Sequence, residues 1–363
     1  MTNSTPSVHY IKYLELDKVL NAQHPLSCVE GKDPAHEEML FIIIHQTYEL
    51  WFKQIIHEID SAMDLLKKEK VKEEHVSLIV SRTERVNKIL QILIKQLDVL
   101  ETMTSSDFLE FRHHLSPASG FQSHQFRKLE VMLGLKIKDR HQFGGCPYHN
   151  QFEGAKKEEI LDLEDDKSLF DLVEKWLERI PFLNMEGFNF VKKYETAVND
   201  MMDKEVSIIK ESLLTKEDEI LRIRMIEENK KYFEQVFNKE KHNNAIENGE
   251  TSLSYDATMS ALLISLYRDY PILHLPYKFL RNLIEMDHQI ANWRFRHMQM
   301  VEKMLGQKIG TGGSSGQGYL KQTVDKHKLF TDIANISTLM ISKSYVPELP
   351  ENMKQQLKFK YNS

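Results

Sequence analysis

Glu38-Met-Leu-Phe-Ile-Ile-Ile-His-Gln-Thr-Tyr-Glu-Leu-Trp-Phe-Lys-Gln-Ile-Ile-His-Glu-Ile-Asp-Ser-Ala-Met-Asp-Leu-Leu66 decides the fold class. Within it Phe41, His45, Tyr48, Phe52, Ile55, Ile59 and Met63 recur at three- and four-residue steps, the period of one helix face. No Gly or Pro interrupts the stretch, so at a rise of 1.5 Å per residue it predicts a rod about 43 Å long. Residues 77–100 repeat the pattern through Ile79, Val86, Ile89, Leu90, Leu93 and Leu97. Residues 106–115 read as a shorter helix closed by the breaker Ser116-Pro-Ala-Ser-Gly120, and 122–133 as another that stops at Gly134. A further long rod is predicted over 278–305, ending at Gly306. Helices are also expected over 168–180, 187–228 and 319–341, and no clear alternating run argues for a strand. The expectation is an all-α fold, a single helical bundle with long core helices.

The chain has 363 residues, 41% of them hydrophobic and 28% charged, with only 14 Gly and 10 Pro. Such a composition excludes wholesale disorder. Its 48 basic residues against 54 acidic ones leave a net charge of −6 and no basic stripe, which argues against a nucleic-acid partner. Two cysteines, Cys28 and Cys146, cannot build a disulfide framework. No apolar run approaches the roughly 20 residues of a membrane span. A cytoplasmic location is therefore expected. Residues 1–9 read as a polar leader and 10–363 as one domain. Within that domain 136–250 is a charged helical excursion, either a solvated arm or a partner surface.

Several residues could carry chemistry. His45 lies on the apolar stripe one turn after Phe41, and His297 shares a face with Trp293, Val301 and Leu305. Each could be a hydrogen-bonded core histidine. Facing inward from two long helices, the pair could instead sandwich a planar cofactor such as haem, one as axial ligand and one over the open iron position. Arg112 shares a face with Phe108, with Leu115 nearby; it reads either as an internal salt-bridge partner or as a clamp for a ligand carboxylate. The glycine-dense loop over 310–318, with Thr311 inside it, lacks the ending of a phosphate-binding loop; it is a linker or a small-ligand contact. Two Glu-x-x-His pairs, Glu110/His113 and Glu285/His288, are the spacing of di-iron bundles, but both histidines fall off the main apolar faces.

Taken together the strings resemble the tryptophan 2,3-dioxygenases, haem enzymes that open the indole ring of L-tryptophan. The matching strings are Tyr10-x-x-Tyr13-Leu-x-Leu-Asp-Lys, Leu20-Asn-Ala-Gln23, His36 through Gln54, Leu100-Glu-Thr-Met-Thr104, Asp107-Phe-Leu-Glu-Phe-Arg112, Ser116-Pro-Ala-Ser-Gly-Phe-Gln-Ser123, Trp293-Arg-Phe-Arg-His297 and Met304-Leu-Gly-Gln-Lys-Ile-Gly-Thr-Gly-Gly-Ser-Ser-Gly316. They stand in the family's order. Trp176-Leu-Glu-Arg-Ile-Pro and Gly187-Phe-Asn-Phe are similar to its animal-type members. The resemblance implies non-covalent haem b with iron on His297, and O₂ as co-substrate. It implies that His45 hydrogen-bonds the indole N–H, Arg112 the substrate carboxylate, and Thr311 the ammonium and carboxylate. Phe41, Phe108 and Leu115 would line the pocket, with Ser119 and Trp293 beside the haem. Tyr10 and Tyr13 would reach a neighbouring subunit's site, which implies a homotetramer. The sequence departs from the pattern at Gln317, Gly318 and Lys321, and has Glu37 where the family usually has Asp. The product implied is N-formyl-L-kynurenine, the first step of the kynurenine pathway. A haem monooxygenase acting on another indole or phenol, and a non-catalytic haem or indole sensor, are the alternatives.

Overall fold

Three long helices dominate because three long stretches carry an unbroken apolar stripe. In the computed structural model, which describes residues 8–29, 33–135, 152–185, 187–306, 308 and 328–358, they are α3 (His36–Leu66), α4 (Glu73–Leu100) and α13 (Pro271–Leu305). Before them stand two short helices, α1 (Tyr10–Tyr13) and α2 (Leu16–Leu20). Ile55, Ile59 and Ala62 of α3, Ile79, Val86 and Leu93 of α4, and Phe279 and Leu283 of α13 form one continuous core. Burying each such side chain contributes on the order of 1.5–3 kcal/mol. Polar pins set the register between α4 and α13. Asn87 Nδ2 donates to the Asn282 carbonyl at 3.0 Å, Asn282 Nδ2 returns a bond to Thr83 Oγ1 at 3.0 Å, and Lys278 pairs with Glu84 at 2.6 Å. Between α3 and α4 the buried Glu58 accepts from Arg85 at 2.7 Å.

Around this frame lie α5 (Ser105–Arg112), α6 (His124–Leu133), α7 (Ala155–Asp165), α8 (Leu169–Glu178), α9 (Phe190–Glu211), α10 (Lys216–Phe237), α11 (Lys239–Glu247) and α12 (Tyr255–Leu266). Most begin on a side-chain cap: Thr104, Ser123, Ser168, Asn189, Thr215, Asn238 and Ser254 each accept from a backbone N–H of the first turn. Gly134 ends α6 at φ +127°; a Cβ there would stand 3.0 Å from Phe170 Cβ. No helix among the described residues is long and apolar enough to cross a membrane.

The all-α expectation holds, with differences at element level. The helix expected over 106–115 ends at Arg112, leaving Leu115 in the turn before Pro117. The rod expected from 278 begins at Pro271, because proline is tolerated at the first helical position. The single helix expected over 187–228 is a two-strand ribbon, Asn184–Met185 against Phe188–Asn189, then α9 and α10 folded back on each other at Thr215. The base of this hairpin belongs to the core through Phe190, Tyr194, Val198, Met202, Phe233 and Phe237, while Leu213 at its tip is fully exposed. Of the helix expected over 319–341, residues up to 327 lie outside the described ones; the rest is the short helix Thr331–Asn335 and a 3-10 turn, Ile336–Leu339. The first part of the predicted excursion, 136–151, also lies outside them.

Candidate functional site

The site forms where the N-terminal half of α3, the whole of α5 and the C-terminal half of α13 meet. Ser105 Oγ donates to the Met304 carbonyl at 2.7 Å and pins the start of α5 to the end of α13. Period-four spacing on α3 puts Phe41 and His45 on one face, ring centroids 4.1 Å apart. Phe108 of α5 stands 5.7 Å from Phe41. Fully buried Phe111 meets both, at 5.5 Å from Phe41 and edge-on to Phe108 at 5.4 Å. Sequence reasoning gave Phe111 no role; its signal was its place between Phe108 and Arg112, off the i,i+4 step that drew attention to those two. Arg112 is the last residue of α5 and half-buried, and its backbone carbonyl accepts from the Leu115 N–H at 3.1 Å. The aromatic wall, the guanidinium and Leu115 thus follow one another along a helix and its closing turn.

The next turn wraps toward α3. Ser119 Oγ accepts from the Phe121 N–H at 3.3 Å, and Ser123 Oγ donates to Glu49 at 2.6 Å. Gln125 Nε2 also donates to the Glu49 carboxylate, at 3.0 Å. Glu49 lies one helical turn after His45, so the 119–123 turn is held beside that histidine.

On α13, Trp293 and His297 are i,i+4 neighbours with rings 2° from parallel and centroids 5.5 Å apart. Trp293 is itself packed by Tyr48 at 6.1 Å, Phe52 at 6.2 Å and Phe126 at 5.1 Å. Burial pushes the His297 pKa down to about 4, and the charge of nearby His45 pushes the same way. Burial also lowers His45, against the opposing influence of the Phe41 carbonyl and Glu49. Both imidazoles are therefore neutral near pH 7. His45 is exposed to water on the helix face that it shares with Phe41. Its Nδ1 lies 2.7 Å from the Phe41 carbonyl, which can only accept; Nδ1 carries the proton and Nε2 keeps a lone pair aimed away from the helix.

One expectation follows for stability. The folded His297 pKa lies below the unfolded value near 6.5. The neutral form's contribution is complete above that pH and is lost as pH falls from 6.5 toward 4, by at most about 3 kcal/mol. The urea midpoint of the cofactor-free protein should be lower at pH 5 than at pH 7.5. His297→Gln should narrow that difference; equal pH dependence in both proteins would refute the assignment.

Not every predicted residue meets here. Thr311, and the departures at Gln317, Gly318 and Lys321, lie outside the described residues. Tyr10 and Tyr13 are 69% and 74% exposed on α1. The arm that carries them is nonetheless fixed to α3. Buried Glu38 accepts from the Leu26 and Ser27 N–H groups at 2.8 and 2.9 Å, and Gln46, next to His45, bonds Gln23 at 2.7 Å and the Ala22 carbonyl at 2.9 Å. His113 and His288 are exposed, and no group of three or more His, Cys, Asp or Glu converges among the described residues. A neutral imidazole stacked on Trp293, with a second imidazole near enough to be felt electrostatically, fits an iron porphyrin better than a carboxylate-bridged metal pair.

The family model described as tryptophan 2,3-dioxygenase matches residues 2–340. A tryptophan 2,3-dioxygenase of Bdellovibrio bacteriovorus is 46% identical over 357 residues, covering 98% of this chain and 99% of its own. One from Dictyostelium discoideum is 44% identical over 357 residues, 98% of this chain and 89% of its own. Tryptophan 2,3-dioxygenase B of Danio rerio is 42% identical over 349 residues, 95% of this chain and 84% of its own.

Proposed function

The chain belongs to the tryptophan 2,3-dioxygenase family, and from that premise we propose that it inserts both atoms of O₂ across the indole C2–C3 bond of L-tryptophan, giving N-formyl-L-kynurenine. The observation that carries the chemistry is the paired state of the two histidines: His297 neutral on its tryptophan stack, and His45 with Nδ1 committed to Phe41 so that Nε2 accepts.

His297 would hold the iron of non-covalent haem b, with Trp293 and Ser119 beside the macrocycle. The haem supplies O₂ binding and activation when bound. The remaining steps belong to side chains. Arg112 grips the substrate carboxylate with two parallel N–H donors, and Thr311 meets its amino-acid end. With that end fixed, Phe41, Phe108 and Leu115 bracket the indole and exclude water. His45 Nε2 accepts the indole N–H and sets the ring's rotation, so that C2–C3 faces the oxygen side. Because the indole N–H is a very weak acid, His45 orients the ring and need not remove the proton.

The test is turnover of L-tryptophan under ¹⁸O₂. The expected product carries label in both new oxygens. One labelled oxygen would instead identify a monooxygenase, and binding without turnover a sensor.

The exposed Tyr10 and Tyr13, on an arm hooked to the helix of His45, support a homotetramer in which each arm completes a neighbour's site. The location is cytoplasmic. Deleting residues 1–14 should lower activity while leaving the helical content and the Glu38 hook intact. A fully active monomer would overturn the shared site.

A further inference from the structure

Outside the groups that meet substrate or iron, α6 carries a buried carboxylate whose contacts end at the neighbours of His297. The Glu130 side chain is only 5% exposed. It accepts from Arg127 Nη1 on its own helix at 2.6 Å and from Arg294 Nη2 on α13 at 2.6 Å; the arginines are 8% and 6% exposed. Burying such charges costs more than filling the same space with apolar groups, so stability alone does not account for them. An ion pair of this kind adds direction: two short, charge-assisted bonds fix where each helix stands along and around its axis.

Arg294 follows Trp293 by one residue and precedes His297 by three. The Arg127 and Arg294 guanidiniums both lie over the Phe126 ring, at 5.5 and 6.0 Å from its centroid. Phe126 stands 5.1 Å from Trp293, whose ring is stacked on the His297 imidazole. Two routes therefore run from Glu130 to that imidazole. One follows the α13 backbone through Arg294; the other crosses the rings through Phe126 and Trp293.

We propose that Glu130 is a positioning residue for His297, setting through Arg294 and the Phe126–Trp293 stack the angle at which the imidazole meets the iron. This rests on the reading of His297 as the iron ligand. Groups that orient a metal-binding histidine typically change metal affinity about 10- to 100-fold when removed.

The experiment uses haem-loaded full-length protein carrying Glu130→Gln, which keeps shape and removes charge, and Glu130→Asp, which keeps charge. Three quantities are read: the iron–histidine stretching band of the ferrous protein by resonance Raman, the rate of haem transfer to excess apomyoglobin, and far-UV circular dichroism. Glu130→Gln should shift or broaden the band and speed haem transfer about 10- to 100-fold at unchanged helicity, with Glu130→Asp in between. A parental band with transfer within about two-fold of the parent overturns the proposal, even where thermal stability falls, because a merely structural ion pair would give that result. If Glu130→Gln does not fold, Arg294→Lys is read the same way, since it keeps the charge and loses the planar fork. His297→Ala separates the two readings. A band that survives His297→Ala removes the ligand assignment itself; a band lost in His297→Ala but unmoved by Glu130→Gln removes only the positioning role.

Discussion

His297→Ala is expected to give a folded protein that copurifies with no haem and turns over no L-tryptophan. The substitution removes the only bond that the proposed site makes from protein to iron. It removes little else: His297 is half-buried at the edge of the α13 stripe, and the core contacts of Met300 and Met304 below it are untouched. Loss of the ring stack on Trp293 costs about 0.5–1.5 kcal/mol, which a domain of this size survives. The space left is the shape of an imidazole, so added imidazole should restore haem uptake. Acid–organic extraction and the Soret band measure the outcome. Full haem content with an unchanged spectrum would refute the role of His297.

Arg112→Lys should have the next largest effect, and one that depends on the substrate. Lysine keeps the charge at the end of α5 but presents a single point where guanidinium presents a planar fork. Spoiling a desolvated charge pair costs about 2–5 kcal/mol. For L-tryptophan that is roughly 30- to several-thousand-fold in kcat/KM. Tryptamine, which has no carboxylate, should be a poor substrate of the parent and should lose little in the variant. Measuring both substrates on both proteins isolates the pairwise contribution. Equal losses for both at constant haem content would make Arg112 a structural residue.

The parts of this molecule legible in the sequence are those where one face is apolar and the other is not. α3 and α4 announce themselves through Ile55, Ile59, Ile79, Val86 and Leu93, and His45 and Arg112 stand out because they interrupt or adjoin such stripes. α12 escaped prediction because Ala257 through Ile264 are buried in an unbroken run, and a helix apolar all round has no period to read. The α9–α10 break escaped because Ser212 and Thr215 are ordinary helix-surface residues until Thr215 turns to cap Asp218. The aromatic wall was half legible: spacing puts Phe41 with His45 and Phe108 with Arg112, and the resemblance makes them a pocket wall, whereas Phe111 joins them only when α5 is laid across α3. The Glu130 clamp was legible only in its local half: Arg127 and Glu130 are an i,i+3 pair on α6, but Arg294 is one charge among 102 until α13 brings it to Glu130.

The pins between α4 and α13 also set an order in time. Asn87 and the Asn282 carbonyl are 195 residues apart in the chain, and Ser105 and Met304 are 199 apart. A ribosome adding about 5–20 residues per second needs roughly 10–40 s to span that distance. Throughout that interval the α3–α4 pair stands outside the ribosome with Ile79, Val86 and Leu93 covered by α3 alone. Late closure of this kind makes the nascent chain a client for chaperones and slows its folding. His297 emerges later still, on the very helix that closes the core. A chain cut short before α13 therefore lacks both the helix that covers α4 and the histidine proposed to hold iron, so one helix supplies packing and site together.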